Sequence, residues 1–363
     1  MSFPKLWNFH GGLCLDGHKQ ESTRLPLRAA RLPERLVFPL LRRDGRHAEP
    51  KVAPGDRVLR GQVIAGGDEL LDPPIHASTS GQVRSIEALP LPHPSGLAGP
   101  CLVIEADGED TAVETEGLAD HRRHPPESLR QRIHEAGIVG LGGAAFPTAA
   151  KLASAGRPLD TLIVNGAECE PYISCDDMVL RHGAREVLHG AEILRHTLQA
   201  ERCLIAIESD MPEALAAAER ALKEGGFDAL AIVPIPARYP AGGEKQLIRI
   251  LTGREVPSRG LPAEVGVICQ NVGTAAAVYR AVVLGEPLIS RVVTVTGRGV
   301  RQPQNLEVRL GTPIADLVAQ CGGYTDEAER LILGGPMMGV ALPSDDLRSA
   351  QRDTVRTCGR EGL

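Results

Sequence analysis

Four short stretches of the sequence carry residue types that could do chemistry together. The first runs Gly137-Ile-Val-Gly140-Leu-Gly142-Gly143-Ala144-Ala145-Phe146-Pro147-Thr148, with Lys151 three residues further on. Consecutive glycines let backbone N–H groups approach a ligand closely. A helix beginning at Pro147 adds the positive end of its dipole, where phosphate binds well. Gly140-x-Gly142-x-x-Ala145 has the spacing of a dinucleotide fingerprint. That fingerprint must follow a strand, however, and the residues before Gly137 read as helix. No Gly-Lys-Ser/Thr follows, so a Walker loop is excluded. Lys151 is one of only six lysines against 34 arginines. A structural turn with a surface lysine fits this stretch alone equally well.

The second stretch is Asn165-Gly-Ala-Glu168-Cys-Glu170-Pro171, directly after the apolar run Thr161-Leu-Ile-Val. Two carboxylates just past the C-terminal end of a parallel strand occupy the usual ligand crevice, although a solvated acidic loop has the same composition. The third, Tyr239-Pro-Ala-Gly242-Gly-Glu244-Lys, is another Gly-rich turn after a strand, with an aromatic, an acid and a base. The fourth, Gln270-Asn271-Val-Gly-Thr274, opens an apolar helix, where Asn271 alone would read as an N-cap.

The elements that position these loops are legible from periodicity. Residues 127–137 read as a helix ending at Gly137, and 147–156 as a short helix capped by Gly156. From there strands at 161–165, 202–209 and 229–236 alternate with helices over 176–198 and 212–226. Such β-α-β-α-β order argues for a parallel sheet covered by helices. Before it, residues 31 to about 110 hold short strands between the turns Pro54-Gly55-Asp56, Gly61-Gln62 and Ser80-Gly81, an all-β pattern. It resembles the biotinyl/lipoyl-like hammerhead, or barrel-sandwich hybrid, in which each of two motifs forms a hairpin. Lys51 precedes the turn and is not at a hairpin tip, so a docking or packing domain is expected, without covalent biotin or lipoate. After residue 288, strands, a helix at 313–322 and a further strand suit a ubiquitin-like β-grasp. The expected organisation is an irregular extension (1–30), a barrel-sandwich hybrid (31–110), an α/β domain (111–287), a β-grasp (288–343) and an exposed tail (344–363). The tail carries Arg348, Arg352, Arg356 and Arg360 at every fourth position and reads as helical or disordered.

Composition limits the function classes. The 363 residues carry a net charge of −6 and only 3% aromatic residues, which excludes a basic nucleic-acid binder or an aromatic stacking platform for single strands. No apolar run reaches membrane-spanning length: the best, Val265 to Leu284, is interrupted by Gln270, Asn271 and Arg280. The first residues lack the pattern of a signal peptide. A cytosolic protein or a peripheral guest on a membrane partner is expected. Eight cysteines form no Cys-x-x-Cys pair and no iron–sulfur ligand run, and reduced thiols are expected.

Taken in order, the four loops resemble the flavin-carrying, NADH-binding subunit of respiratory complex I. That subunit has a Gly-Arg-Gly-Gly-Ala-Gly-Phe-Pro loop with a downstream Lys, then Asn-Ala-Asp-Glu-x-Glu-Pro, Tyr-x-x-Gly-Glu-Glu and Asn-Asn-Val-Glu-Thr. A fuller resemblance, over about residues 3–343, is to the RnfC (RsxC) family of Rnf electron-transport complexes. It rests on Phe9-His-Gly-Gly12 with His18-Lys19 and Ser22-Thr23, on GIVGLGGAAFPTAAKL, on VNGAECEPYISCDD, and on the 38-residue run from Tyr239 to Ala276. The β-grasp would then be that family's SLBB domain.

The resemblance implies a Rossmann-like α/β domain binding FMN and NADH, with hydride passing from NADH to the flavin and electrons leaving singly to iron–sulfur clusters. By matching position, Gly140, Gly142, Gly143, Phe146, Lys151, Asn165, Gly242, Asn271 and Thr274 would hold the cofactor, with Lys151 on the FMN phosphate. Glu168, Glu170, Tyr239 and Glu244 would line the hydride cleft. No resident metal ion is expected in this chain. Partners would be the other membrane and iron–sulfur subunits of the complex, on the cytoplasmic face of a bacterial inner membrane. Three departures stand out. Ala145 replaces the loop's last Gly, and Leu141 replaces an Arg. The family's two 4Fe–4S clusters, held by Cys-x2-Cys-x2-Cys-x3-Cys-Pro runs, have no ligands here, which reads as truncation or frameshift. A docking module with a vestigial nucleotide site is the alternative reading.

Overall fold

The computed structural model describes residues 5–42, 44–91, 97–153, 159–345 and 354–358. Its centre is a four-stranded, all-parallel sheet in the order Leu230–Ile235, Arg202–Glu208, Thr161–Gly166, Val267–Asn271. In chain order that is 3-2-1-4, one half of a doubly wound fold. Its strand order reverses between Thr161–Gly166 and Val267–Asn271, where ligands bind such sheets.

Both sheet faces are covered, and side chains alternate between two cores as the pleat requires. Leu162, Val164, Cys203, Ile205, Ile207 and Ile268 point to the side packed by the helices Cys175–Leu198, Pro212–Gly225 and Val272–Tyr279. Ile163, Leu204, Ala206, Val267 and Cys269 point to the other side, against Leu247, Ile248, Ile250 and Leu251 of the helix Glu244–Thr252. The apolar segment 265–284 is therefore a strand followed by a helix, and no helix among the described residues is long and apolar enough to cross a membrane.

The N-terminal all-β unit is a four-stranded antiparallel sheet, in the order Arg35–Pro39, Ala98–Ala106, Gly81–Pro90, Arg57–Val58, with a separate pair, Val63–Ala65 and Ile75–His76. The two turn motifs expected to form one hairpin each are instead cross-paired, 57–58 with 81–82 and 63–65 with 75–76. Cross-pairing buries Val58, Ile64, Ala65, Ala77 and Val83 in one core. Lys51 forms an exposed ion pair with Asp68.

The C-terminal unit corrects the reading of both chain ends. Its six-stranded sheet runs in the order Arg28–Ala29, Gln304–Arg309, Ser290–Thr296, Thr354–Cys358, Arg330–Leu333, Val340–Leu342. Part of the expected irregular extension thus supplies an edge strand, parallel to Gln304–Arg309. Part of the expected exposed tail, Thr354–Cys358, pairs on both sides inside the sheet. The every-fourth arginine spacing suggested a helix, but Thr354, Val355 and Thr357 are β-branched and favour extended backbone. The rest of the tail from residue 346, and the expected cap at Gly156, lie outside the described residues.

The helix Cys175–Leu198 crosses Val272–Tyr279 so closely that a Cβ at Gly190 would overlap the carbonyl oxygen of Ala275. Gly190 has ordinary helical backbone, so the space alone requires glycine. In an open helix Gly→Ala stabilises by about 1 kcal/mol. Here Gly190→Ala should reverse the sign and destabilise by roughly 1 to 3 kcal/mol through overpacking. Thermal or denaturant unfolding reads this directly, and a raised melting temperature would contradict the packing.

Candidate functional site

The four loops singled out in the sequence meet at the switch point of the sheet. Asn165 and Asn271 are register partners at the ends of the two strands that flank it. Asn165 Nδ2 donates to the carbonyl of Gly242 at 2.9 Å, and its Oδ1 accepts from the N–H of Ala167. Asn271 Oδ1 accepts from the N–H groups of Gly273 and Thr274, so it does cap its helix. Its Nδ2 remains to donate to Asp176 at 2.6 Å. Thr274 Oγ1 accepts from Leu141 N–H at 2.8 Å, docking the Gly-rich loop onto the same helix start.

The Gly-rich loop is a tight excursion closed by Gly140 N–H to the Phe146 carbonyl and by a bridge between Val139 and Pro147. Gly143 has φ +96°, and Ala145 is held at φ +48°, a conformation that costs a non-glycine residue roughly 1 to 2 kcal/mol. Gly142 is exposed, and a Cβ there would stand 3.2 Å from that of Asn271. This leaves an open, backbone-lined cradle above Asn271. Phe146 is partly exposed at the loop's end.

Lys151, on the helix Thr148–Ala153, reaches back under this cradle. Its Nζ donates to Glu244 Oε1 and to the Cys269 carbonyl, each at 2.6 Å. The lysine expected on a phosphate and the glutamate expected in the hydride cleft therefore pair with each other. Gly242 lies so close to the 165–170 loop that a Cβ would overlap the Ala167 carbonyl oxygen. Tyr239 is fixed by reciprocal backbone hydrogen bonds to Leu13 of the N-terminal segment. Its phenol is raised by burial and by the nearby Glu170 and Cys169.

The two carboxylates of the acidic loop do different things. Glu168 is buried and faces the start of the helix Cys175–Leu198. Its Oε1 accepts from Asp176 N–H at 2.9 Å and from the Cys175 thiol, and its Oε2 from Asp177 N–H at 3.2 Å. That is a carboxylate on a helix N-terminus, where the dipole favours it. Glu170 instead points to the C-terminal β unit, where Oε2 accepts from Met337 N–H at 2.9 Å.

Several residues that matter here were not singled out as site residues. Lys19 is buried; its Nζ donates to the carbonyls of Glu168 and Ile173 at 2.5 and 2.9 Å and lies 3.6 Å from Glu168 Oε2. Burial disfavours its charge, but Glu168, Glu208, Asp210 and Asp177 outweigh that and raise its pKa. Arg291 is buried and donates to the Leu141 carbonyl, tying the C-terminal sheet to the Gly-rich loop. Asp176 is raised by the enclosure of its carboxylate and by Glu168. Glu208, at the end of its strand, is buried and pushed up to about 8, first by burial, with Asp210 and Glu168 adding and Lys19 opposing. The only sequence signal was local: His18-Lys19 and the Asp176-Asp177 pair stood inside runs already noted, and a strand ending in Glu marks a switch-point edge.

The roomiest cavity, about 700 Å³, lies on the other side of the Gly-rich loop, between it and the N-terminal β unit. It is lined by Phe38, Leu91, Ala144, Phe146 and Leu310 and excludes Lys151, Asn165 and Asn271, so it is not the site built above. A small polar cavity of about 20 Å³, wide enough for a water, does adjoin the cleft, walled by Lys19, Glu170, Glu208, Asp210, Arg238 and Tyr239. Among the described residues the one cluster with metal-ligand spacing is Glu168, Cys175 and Asp176, and its atoms already hold the helix start and Asn271. Burial pushes the thiols of Cys169 and Cys269 up to about 11 and about 12, far from the thiolates a cluster needs.

Comparison with known proteins agrees with this architecture. Residues 133–280 match the family model of the Nuo51 FMN-binding domain, 7–109 the RnfC barrel sandwich hybrid domain, and 292–341 the SLBB domain. A Pseudomonas aeruginosa protein, named as the RnfC component of an ion-translocating oxidoreductase complex, is 51% identical over 338 residues, 92% of this chain. The chain belongs to that family. A namesake from Erwinia tasmaniensis is 48% identical over 94% of the chain. The chain spans 43% and 42% of the length of these two family members. A solved NAD+-reducing [NiFe]-hydrogenase shares the fold, with TM-score 0.55 and 22% identity over 67% of this chain and 49% of that one.

Glu208 makes the site's electrostatics testable. A carboxyl held near 8 keeps its proton in the folded chain where the unfolded chain has lost it. Stability therefore falls as pH rises from the ordinary range near 4.5 to about 8 and levels off above. In Glu208→Gln this loss should vanish, leaving a smaller difference in melting temperature between pH 5 and pH 9 than in the unaltered chain. Equal differences would contradict the enclosure of Glu208.

Proposed function

We propose that the chain binds FMN without a covalent link in the cleft above the switch point and accepts hydride there from NADH. It would act as the electron-input subunit of an ion-translocating, Rnf-type electron-transport complex. The observation that supports this reading most is the convergence of Gly142, Lys151, Asn165, Asn271 and Thr274, from four loops, on the one place where a 3-2-1-4 sheet binds ligands. The donor set fits the cofactor: an open glycine cradle, a lysine one helical turn below it, and side-chain amides at the two strand ends.

Bound FMN would supply the conversion between two-electron and one-electron transfer that no side chain offers. The protein's part is to bind, orient and exclude water. Lys151 would exchange the Glu244 carboxylate for the phosphate, a charge-assisted contact of similar kind. Asn165 and Asn271 fix the strand ends, and Gly140, Gly142 and Gly143 keep the loop backbone free of side chains. Phe146 and Gly242 bound the cleft. Tyr239, with its raised phenol pKa, stays a neutral donor beside Glu170. Glu168 acts through the helix start it holds, while Glu170 stands at the cleft. The acidic wall of Glu170, Glu208 and Asp210 favours a dinucleotide without a 2′-phosphate.

Partners in this reading are the membrane and iron–sulfur subunits of the complex, at the cytoplasmic face of the bacterial inner membrane, and the 4Fe–4S clusters that take the electrons are held outside this chain. The alternative, a docking module with a vestigial site, binds no flavin.

Absorbance of the purified chain reconstituted with FMN separates the two. A stoichiometric flavin spectrum bleached by NADH under anaerobic conditions is expected. Lys151→Ala should weaken FMN binding roughly 10- to 150-fold, the worth of a charged hydrogen bond. Gly143→Val should weaken it further, since a branched side chain cannot adopt φ +96°. Ala145→Gly should preserve or tighten binding. Unchanged affinity in Lys151→Ala would remove that residue from the site.

A further inference from the structure

Sequence treats Glu168 and Glu170 as equivalent, but the fold does not. Both oxygens of Glu168 are taken by the N–H groups that open the helix Cys175–Leu198. Glu170 is held by a segment 167 residues away: the loop after the strand Arg330–Leu333, which runs Gly334-Gly335-Pro336-Met337-Met338-Gly339. We propose that this loop is a positioning element for Glu170, setting its carboxylate as the acceptor for donor groups at the nicotinamide-ribose end of the dinucleotide. The inference rests on the NADH reading above and names the residue that carries it.

Three features of the loop serve this one contact. Met337 donates its backbone N–H to Glu170 Oε2 at 2.9 Å. Gly335 has no room for a side chain, because a Cβ there would overlap that carboxylate. Its φ lies outside the left-handed region, so the obstacle is steric and not conformational. Gly334, at φ +97°, turns the chain, and Gly339 N–H closes the loop on the Gly335 carbonyl at 2.8 Å. The loop is thus shaped around Glu170, and Glu170 lines the small polar cavity with Tyr239. A loop that merely packed would need neither a glycine against the carboxylate nor a backbone donor on it.

The test uses the full chain loaded with FMN. Gly335→Ala should leave flavin content intact. It should raise the half-saturating NADH concentration for flavin bleaching by about tenfold, the effect of displacing a charged acceptor. The limiting rate should stay within about twofold, since the contact binds the dinucleotide in ground and transition states alike. Met337→Pro, which deletes the donor and adds no bulk at 335, should shift the same concentration in the same direction. In a Glu170→Ala background Gly335→Ala should add little, because the carboxylate it displaces is gone. Independently of activity, amide exchange at Met337 should be protected in the unaltered chain and lose that protection in Glu170→Ala. Unchanged half-saturation in both loop variants, fully multiplicative effects in the double variant, or an exchange rate indifferent to Glu170 would each overturn the inference. If the unaltered chain binds flavin but is not bleached by NADH, the functional reading falls and takes this one with it.

Discussion

A single buried cation organises the site. Lys19 reaches from the N-terminal segment into the loop after the first central strand and donates to the carbonyls of Glu168 and Ile173. Four carboxylates keep it charged there, Glu168 foremost. Glu168 in turn receives the N–H groups of Asp176 and Asp177, and Asp176 receives the Asn271 amide. Lysine, glutamate, helix start, aspartate and asparagine form one connected path from the edge of the molecule to the switch point. Burying charge is costly unless every member is partnered, so the path fixes the loop in one conformation. Removing Lys19 would leave carboxylates facing each other with no cation between them.

Around this path the structure is held by close backbone approaches. Gly142 over Asn271, Gly190 against Ala275, Gly242 against Ala167 and Gly335 against Glu170 each sit where a side chain would collide or crowd. These contacts put the loops within reach of one ligand without filling the cleft. A buried polar network completes the frame: Ser22, Ser174, Thr294 and Asn305 bond one another from the N-terminal segment, the long helix and the C-terminal sheet. Three parts of the chain thereby share one polar core.

Much of this was legible in the sequence, for identifiable reasons. The Gly-rich loop, Asn165, Tyr239, Asn271 and the alternation of helix with strand are local signals, fixed by residues within a turn or two. The family resemblance placed the FMN-binding and SLBB domains correctly. What sequence concealed depends on distant pairing. Lys19 and Glu168 are 149 residues apart, and nothing local marks a lysine as buried. That Lys151 pairs with Glu244, and that Glu168 and Glu170 face opposite ways, follows from how loops fold back. The strand Thr354–Cys358 was hidden because arginines at helical spacing outweighed three β-branched residues in the reading.

The C-terminal sheet contains both Arg28–Ala29 and Thr354–Cys358. Strands from opposite ends of the described chain thus lie in one hydrogen-bonded layer, with Gln304–Arg309 and Ser290–Thr296 between them and the whole α/β domain looped out. Such pairing raises contact order, and loop closure over hundreds of residues must precede the reward of the last ladder. During synthesis the central parallel sheet is able to form as soon as residue 271 has emerged. The layer that carries Arg291 onto the Gly-rich loop has to wait for Thr354–Cys358. Assembly of the cleft is therefore a late event in the life of each chain, timed by the ribosome.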